Sequence, residues 1–148
     1  MTPPTHDAAA RFVRRGLSAN GPTAAVVREE FTAWLRRYVG PDETRLCDVV
    51  LAVNEALANS AEFAYSDGVE GTCDLDAVYA GGVGGVLTVT VCDRGRWREP
   101  DLNQRQRRRG WGIPLMRRLA DRVVIDTSTL GTSVCMRFEQ IHSLVLAG

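Results

Sequence analysis

At Ser66-Asp67-Gly68 the hydrophobic period of this chain changes, and the change divides it into a helical half and a largely β half. Before the turn, Val27, Phe31, Trp34, Leu35 and Tyr38 recur at spacings of three and four, and so do Leu46, Val49, Val50, Val53, Leu57, Ala61 and Ala64. Each set therefore lines one face of a helix. After the turn, Cys73, Leu75, Ala77 and Tyr79 alternate with Thr72, Asp74 and Asp76. A period of two is the mark of a strand with one buried face. Stripes of these two kinds bury one another when helices lie on one face of a sheet.

Turn and cap residues give the expected boundaries. Residues 1–10 are polar and without a period, and they read as a disordered tail ahead of a single domain over 11–148. Arg11 to Leu17 reads as a short edge strand. Asn20-Gly21-Pro22 breaks the chain and leads into a helix from Thr23, its N-cap, to about Val39, stopped by Gly40-Pro41. A longer helix runs from Asp42 to about Tyr65, with Asp42 and Glu43 in the first turn, where negative charge favours the helix dipole. The strand at 72–79 returns through Gly81 to Gly85 into Val86–Cys92 as a hairpin. Residues 93–112 have no apolar period and read as a long arginine-rich loop, a length typical of lids and binding loops. A third helix is expected from Ile113 to Asp121, with Pro114 in its first turn. Strands at Arg122–Thr127 and Thr132–Phe138 follow, joined by Leu130-Gly131. The class is α+β: a two-layer α/β sandwich with a mixed, mostly antiparallel sheet and helices on one face.

Composition narrows the chemistry. All eighteen basic residues are arginine, balanced by eighteen acidic ones. A Walker A loop and a eukaryotic-type kinase site both need a lysine on the phosphates, so the absence of lysine excludes both. The two histidines, His6 and His142, lie near the chain ends and do not suggest a catalytic triad. Cys47, Cys73, Cys92 and Cys135 are far apart, with no C-x-x-C pair, and do not read as a zinc site or a disulfide framework. No apolar run approaches the ~20 residues of a membrane span. With no signal-peptide pattern, a cytoplasmic, non-membrane protein is expected.

Four local features carry possible chemistry. Glu55 and Asn59 are one helical turn apart and share a face bordered by Asp48, Ala52 and Glu62, on the side opposite the apolar stripe. A carboxylate and an amide oxygen so placed can activate a hydroxyl and hold a hard cation, although a polar helix side needs no special explanation. Asp93-Arg94-Gly95 follows a buried-type strand, where an aspartate can accept a hydrogen bond from a ligand amino group and a glycine lets backbone approach. Gly110-Trp111-Gly112 leads into the third helix, whose open N–H groups would attract phosphate. Gly131-Thr132 opens the last strand. Taken singly, the last three are also ordinary turns.

In this order and context the four features resemble the Bergerat-fold (GHKL, histidine-kinase-like) ATPases, and within them the anti-sigma factor serine/threonine kinases. The segments that carry the resemblance are Leu51–Tyr65 (LAVNEALANSAEFAY), Val91–Pro100 (VCDRGRWREP), Gly110–Asp121 (GWGIPLMRRLAD) and Gly131–Val134. It implies ATP and Mg2+ as cofactors, Glu55 as general base and Asn59 as the magnesium ligand. It further implies that Asp93 bonds the adenine amino group, with Gly95 and Thr132 beside the base. Gly110 and Gly112 would wrap the phosphates, and Arg108, or Arg109 one register on, would reach the terminal phosphate from a lid over 94–109. The implied partners are a sigma factor and an anti-anti-sigma factor phosphorylated on serine, with a homodimer left open. Two positions depart from the family pattern: Phe63 where histidine is more frequent, and Glu62 where a basic residue is common.

Three other readings compete. A histidine kinase complete in itself would need a dimerising helical hairpin with a phosphoacceptor histidine, and the helix before Glu55 contains none. The arginines at 94, 96, 98, 105 and 107–109 suggest a nucleic-acid binder, yet the chain is neutral and only Trp97 and Trp111 interleave them, so no direct nucleic-acid partner is expected. A catalytically inactive ATP-binding regulatory module would share the active kinase's sequence features.

Overall fold

The computed structural model describes residues 10–39, 42–61, 71–81, 84–95 and 112–142. They form five strands, β1 (Ala10–Ser18), β2 (Thr72–Ala80), β3 (Val86–Asp93), β4 (Arg122–Ser128) and β5 (Gly131–Phe138), and three helices, α1 (Gly21–Tyr38), α2 (Glu43–Asn59) and α3 (Gly112–Leu119). The strands make one sheet in the order β1-β2-β3-β5-β4. Every neighbouring pair among the described residues is antiparallel. β1 begins at Ala10, inside the expected tail.

Alternation in the sequence becomes the two faces of the sheet. Cys73, Leu75, Ala77 and Tyr79 of β2 are buried, as are Leu87, Val89 and Val91 of β3 and Val134, Met136 and Phe138 of β5. Thr72, Val78 and Ala80 point away and are exposed. The helices cover the first face. α1 contributes Val27, Phe31, Trp34 and Leu35, and Phe31 stacks on Trp34 while meeting Phe12 of β1 edge-on. Tyr38, expected on this stripe, is 38% exposed.

The cap of α1 lies three residues before the expected one. Asn20 Oδ1 accepts from Thr23 N–H at 2.9 Å and Pro22 occupies the first turn, where a missing N–H costs nothing. α2 starts as expected, with Asp42 accepting from Arg45 N–H. Its helix closes at Asn59, with Ser60 as C-cap. The expected continuation to Tyr65 falls beyond Ala61, outside the described residues. Among those residues no helix is long and apolar enough to cross a membrane.

Arg45 fixes the end of the domain away from Asn59. Its guanidinium donates to Leu119 O at the end of α3, to Asp121 Oδ2 at 2.7 Å and to Glu139 O just past β5. Asp121 also accepts from Glu139 N–H. Burial by itself would raise the Asp121 carboxyl, but the Glu139 and Arg45 bonds together hold it below its ordinary value. The unfolded chain, with an Asp near ~3.9, binds this proton more readily. The stability linked to Asp121 is therefore present above that value and is lost as pH falls through the lower folded value. Asp121→Asn is expected to lower the Tm at neutral pH and to flatten its fall below about pH 4. Thermal melts between pH 2 and 7 check this. An acid slope equal to that of the wild type would rule out the Asp121 tie as a source of acid sensitivity.

Candidate functional site

The last turn of α2 carries Glu55 and Asn59, and it is more deeply packed than the sequence suggests. Ala52 and Ala56 are fully buried and Asn59 is only 2% exposed. The side expected to lie opposite the apolar stripe is therefore covered, because α2 is sandwiched between α1 and α3 as well as against the sheet. Glu55 sits at the margin, half-buried, as does Asp48. A side chain in that position can meet both protein and solvent.

Asp93 closes β3 on the helix-facing side of the sheet and is 5% exposed. Its Oδ2 accepts from Ser60 Oγ at 3.1 Å and its Oδ1 from Gly95 N–H at 3.1 Å. The first bond joins the sheet to the end of α2, and the second turns the chain back at the close of the strand. Across the sheet Asp93 lies between Cys73 on β2 and Thr132 on β5. Burial, then the charges of Asp93 and Asp74, push the Cys73 thiol up to about 11. It stays a neutral neighbour that adds no charge beside the carboxylate.

Gly131 is where β5 meets this corner. Its φ is +146°, and a Cβ there would lie 2.0 Å from Asp93 O. The glycine is needed for the approach of the two strands, and that approach sets Thr132 beside Asp93. Thr132 is 2% exposed. Among the described residues, the two buried side-chain oxygens that lack a hydrogen-bond partner are Asn59 Oδ1 and Thr132 Oγ1. Leaving such an atom unsatisfied costs about 1–3 kcal/mol. Two at one site point to a ligand that supplies what they lack.

Glu55, Asn59, Asp93, Gly95 and Thr132 thus gather where α2 ends against β3 and β5. Gly112 is the first residue of α3. Arg108 and Gly110, with Arg109, Glu62 and Phe63, lie outside the described residues. Arg94, expected to open the lid, is drawn back across the sheet to Thr72 Oγ1 at 3.3 Å and Asp74 Oδ2 at 3.2 Å. Ser60 was not among the expected site residues. Nothing in the helical pattern marks it, since the apolar stripe passes from Leu57 to Ala61. No group of three or more His, Cys, Asp or Glu among the described residues is placed to hold a metal. A magnesium ion here would take Asn59 Oδ1 and depend on phosphate and water oxygens for the rest, as this cation commonly does.

Residues 17–138 match the histidine kinase-like ATPase domain family, and the chain belongs to it. The antiparallel sheet with helices on one face is the Bergerat ATPase fold, and membership of an ATPase family makes ATP the implied ligand. Among solved structures, the chain is similar to the RsbU and RsbW domains of Rv1364c from Mycobacterium tuberculosis, with 22% identity and a TM-score of 0.64. That match covers 92% of this chain and 34% of the other. A second is the histidine kinase domain of the blue-light activated histidine kinase from Erythrobacter litoralis EL346, with 24% identity and a TM-score of 0.49 over 65% of this chain and 45% of that one. At these identities the first likeness is one of fold.

Gly131→Ala is expected to destabilise the protein by about 1–3 kcal/mol, the usual scale for a non-glycine residue forced into such backbone. It should weaken ATP binding by displacing Asp93 or Thr132. Denaturant unfolding and calorimetry read the two effects. Wild-type ATP affinity in a folded Gly131→Ala protein would show that this corner does not hold the nucleotide.

Proposed function

We propose that the protein is an anti-sigma factor that binds ATP with magnesium, sequesters a sigma factor and phosphorylates an anti-anti-sigma antagonist on serine. The observation that carries the nucleotide part is the pairing of the buried Asp93 carboxylate with the two unpartnered oxygens of Asn59 and Thr132. Asp93 presents an acceptor to an adenine amino group, and Thr132 Oγ1 bonds the same base from the next strand. Asn59 Oδ1 is a hard oxygen suited to magnesium. The kinase part rests on the E-x-x-x-N spacing and on the resemblance of the motifs to the anti-sigma factor kinases.

ATP supplies the phosphoryl group, and a magnesium ion held through Asn59 Oδ1 would spread the charge that develops on it. Glu55 accepts the proton of the antagonist's serine hydroxyl while that oxygen bonds to the γ-phosphorus and the bond to ADP breaks. Its position at the margin of the packed helix lets it face an incoming protein while Asn59, one turn on, stays buried. The phosphoserine formed carries about −1.5 to −2 charges at neutral pH. Asp48 and Glu55 repel it, which favours release of the modified antagonist.

Glu55→Gln keeps the size of the side chain but cannot take a proton. Phosphate transfer from labelled ATP to a small anti-anti-sigma protein is expected to fall about 10²–10⁴-fold while ATP binding persists. Asp93→Asn is expected to lose about 1–3 kcal/mol of ATP affinity by calorimetry, because one oxygen becomes a donor. If the wild type transfers phosphate and Glu55→Gln is as fast, Glu55 is not the base. If sigma factor binds but no antagonist is ever phosphorylated, the inactive ATP-binding module is the right reading. Salt-sensitive binding of DNA or RNA without nucleotide would support the nucleic-acid reading instead.

A further inference from the structure

The backbone of Asp93 is held from both sides. It pairs with Cys73 of β2 and with Thr132 of β5 in the ladder, and Gly131 packs against its carbonyl. The carboxylate has more freedom, because the last torsion of an aspartate side chain joins an sp³ to an sp² carbon and its wells are broad. Where the two oxygens lie depends on the donors around them. Gly95 N–H reaches Oδ1 at 3.1 Å, and Ser60 Oγ lies 3.1 Å from Oδ2. One donor makes a pivot about which the carboxylate plane can turn. Donors on both oxygens define the plane.

The two donors differ in origin. Gly95 follows Asp93 by two residues, whereas Ser60 comes from the helical layer, thirty-three residues away, and is 2% exposed. Ser60 caps α2 yet keeps helical dihedrals, φ −60° and ψ −43°, with its N–H on Ala56 O and Leu57 O. Its hydroxyl therefore sits where the helix puts it, and Arg45 ties the far end of that helix. An ionised carboxylate only accepts, so the hydroxyl donates. We infer that Ser60 is a positioning residue for nucleotide selection, which fixes the plane of the Asp93 carboxylate so that an acceptor meets the amino group of the base. This rests on the adenine-binding role proposed for Asp93. Hydrogen bonds weaken steeply as their angle departs from linear, and a buried site built around a donor on the ligand rejects an analogue that lacks it. Without Ser60 the carboxylate turns about the Gly95 bond and meets the amino group at a poorer angle. The effect falls on that one group of the base and leaves contacts to ribose and phosphates as they are.

Calorimetry of the full chain with two nucleotides tests this: ATP, and purine riboside triphosphate, in which hydrogen replaces the amino group. The wild type is expected to bind ATP at least ~10-fold more tightly than the analogue. Ser60→Ala is expected to weaken ATP about 3–10-fold, the scale of one net hydrogen bond, and to leave the analogue within about twofold of its wild-type affinity. Ser60→Cys keeps the shape with a weaker donor, and its ATP affinity is expected to fall between the two. It carries the same comparison if thermal melts show that the alanine variant does not fold. Two outcomes overturn the inference while Asp93 keeps its role. In one, the folded variants retain the wild-type preference for ATP. In the other, they lose affinity for ATP and analogue equally, which makes Ser60 a brace between helix and sheet and nothing more. A wild type that binds both nucleotides alike instead removes the adenine-binding role of Asp93, and this inference with it.

Discussion

The hydrogen bond from Ser60 to Asp93 joins two ends that would otherwise fray. A helix leaves its last carbonyls without partners, and a strand end has few ladder bonds to hold it. Here α2 and β3 finish against each other through one hydroxyl and one carboxylate, and Gly95 closes the same carboxylate from the other side. The bond also decides what stays unpaired. Asn59 precedes Ser60 and Thr132 stands across from Asp93, so fixing Ser60 on Asp93 brings both orphaned oxygens to one corner. The site is held in shape by the protein's own bonds, with acceptors left over for a guest, which is how a binding site is preorganised.

That corner is useful only if α2 does not slide. Arg45 holds the opposite end of the helix to α3, to Asp121 and to the strand exit after β5, and its guanidinium lies 5.8 Å from the centre of the Phe138 ring. Ile141, buried beyond β5, bonds to Gly85 O through its N–H and accepts from Tyr79 OH, which pins the chain after β5 to the β2–β3 hairpin. The helix that carries Glu55 and Asn59 is thus fixed at both ends against the same sheet. Buried apolar contacts from Val49 to Leu57 hold the stretch between them.

Much of this was legible in the sequence. The period change near Gly68, the alternation in β2 and the capping acid at Asp42 specify two layers, because each obeys a local rule. Glu55, Asn59, Asp93, Gly95 and Thr132 were legible as an ordered set of motifs, and the fold brings them together. What the sequence did not disclose depends on long-range packing. Asn59 reads as polar surface on a helical wheel, yet it is buried in a helix that packs among α1, α3 and the sheet. Ser60 carries no signal in the sequence, because its partner lies thirty-three residues on. The cap moved from Thr23 to Asn20 because both are good capping residues, and the proline between them favours the earlier start.

Arginine does two kinds of work in this lysine-free chain, and sequence composition does not separate them. The pairs Arg11–Asp76 and Arg36–Glu43 are short but exposed, and such pairs contribute little net stability. Arg45, with its side chain only 22% exposed, spans two carbonyls and a carboxylate with one planar fork, which a lysine's single nitrogen would match poorly. Arg94 and Arg117 are likewise drawn onto the fold, one to Asp74 and Thr72, the other to the Val123 carbonyl. An arginine-rich stretch therefore cannot be assigned to phosphate as a block. Each guanidinium goes to the nearest acceptor that fits its fork, and Arg94 belongs to the sheet although it stands next to the aspartate of the candidate site.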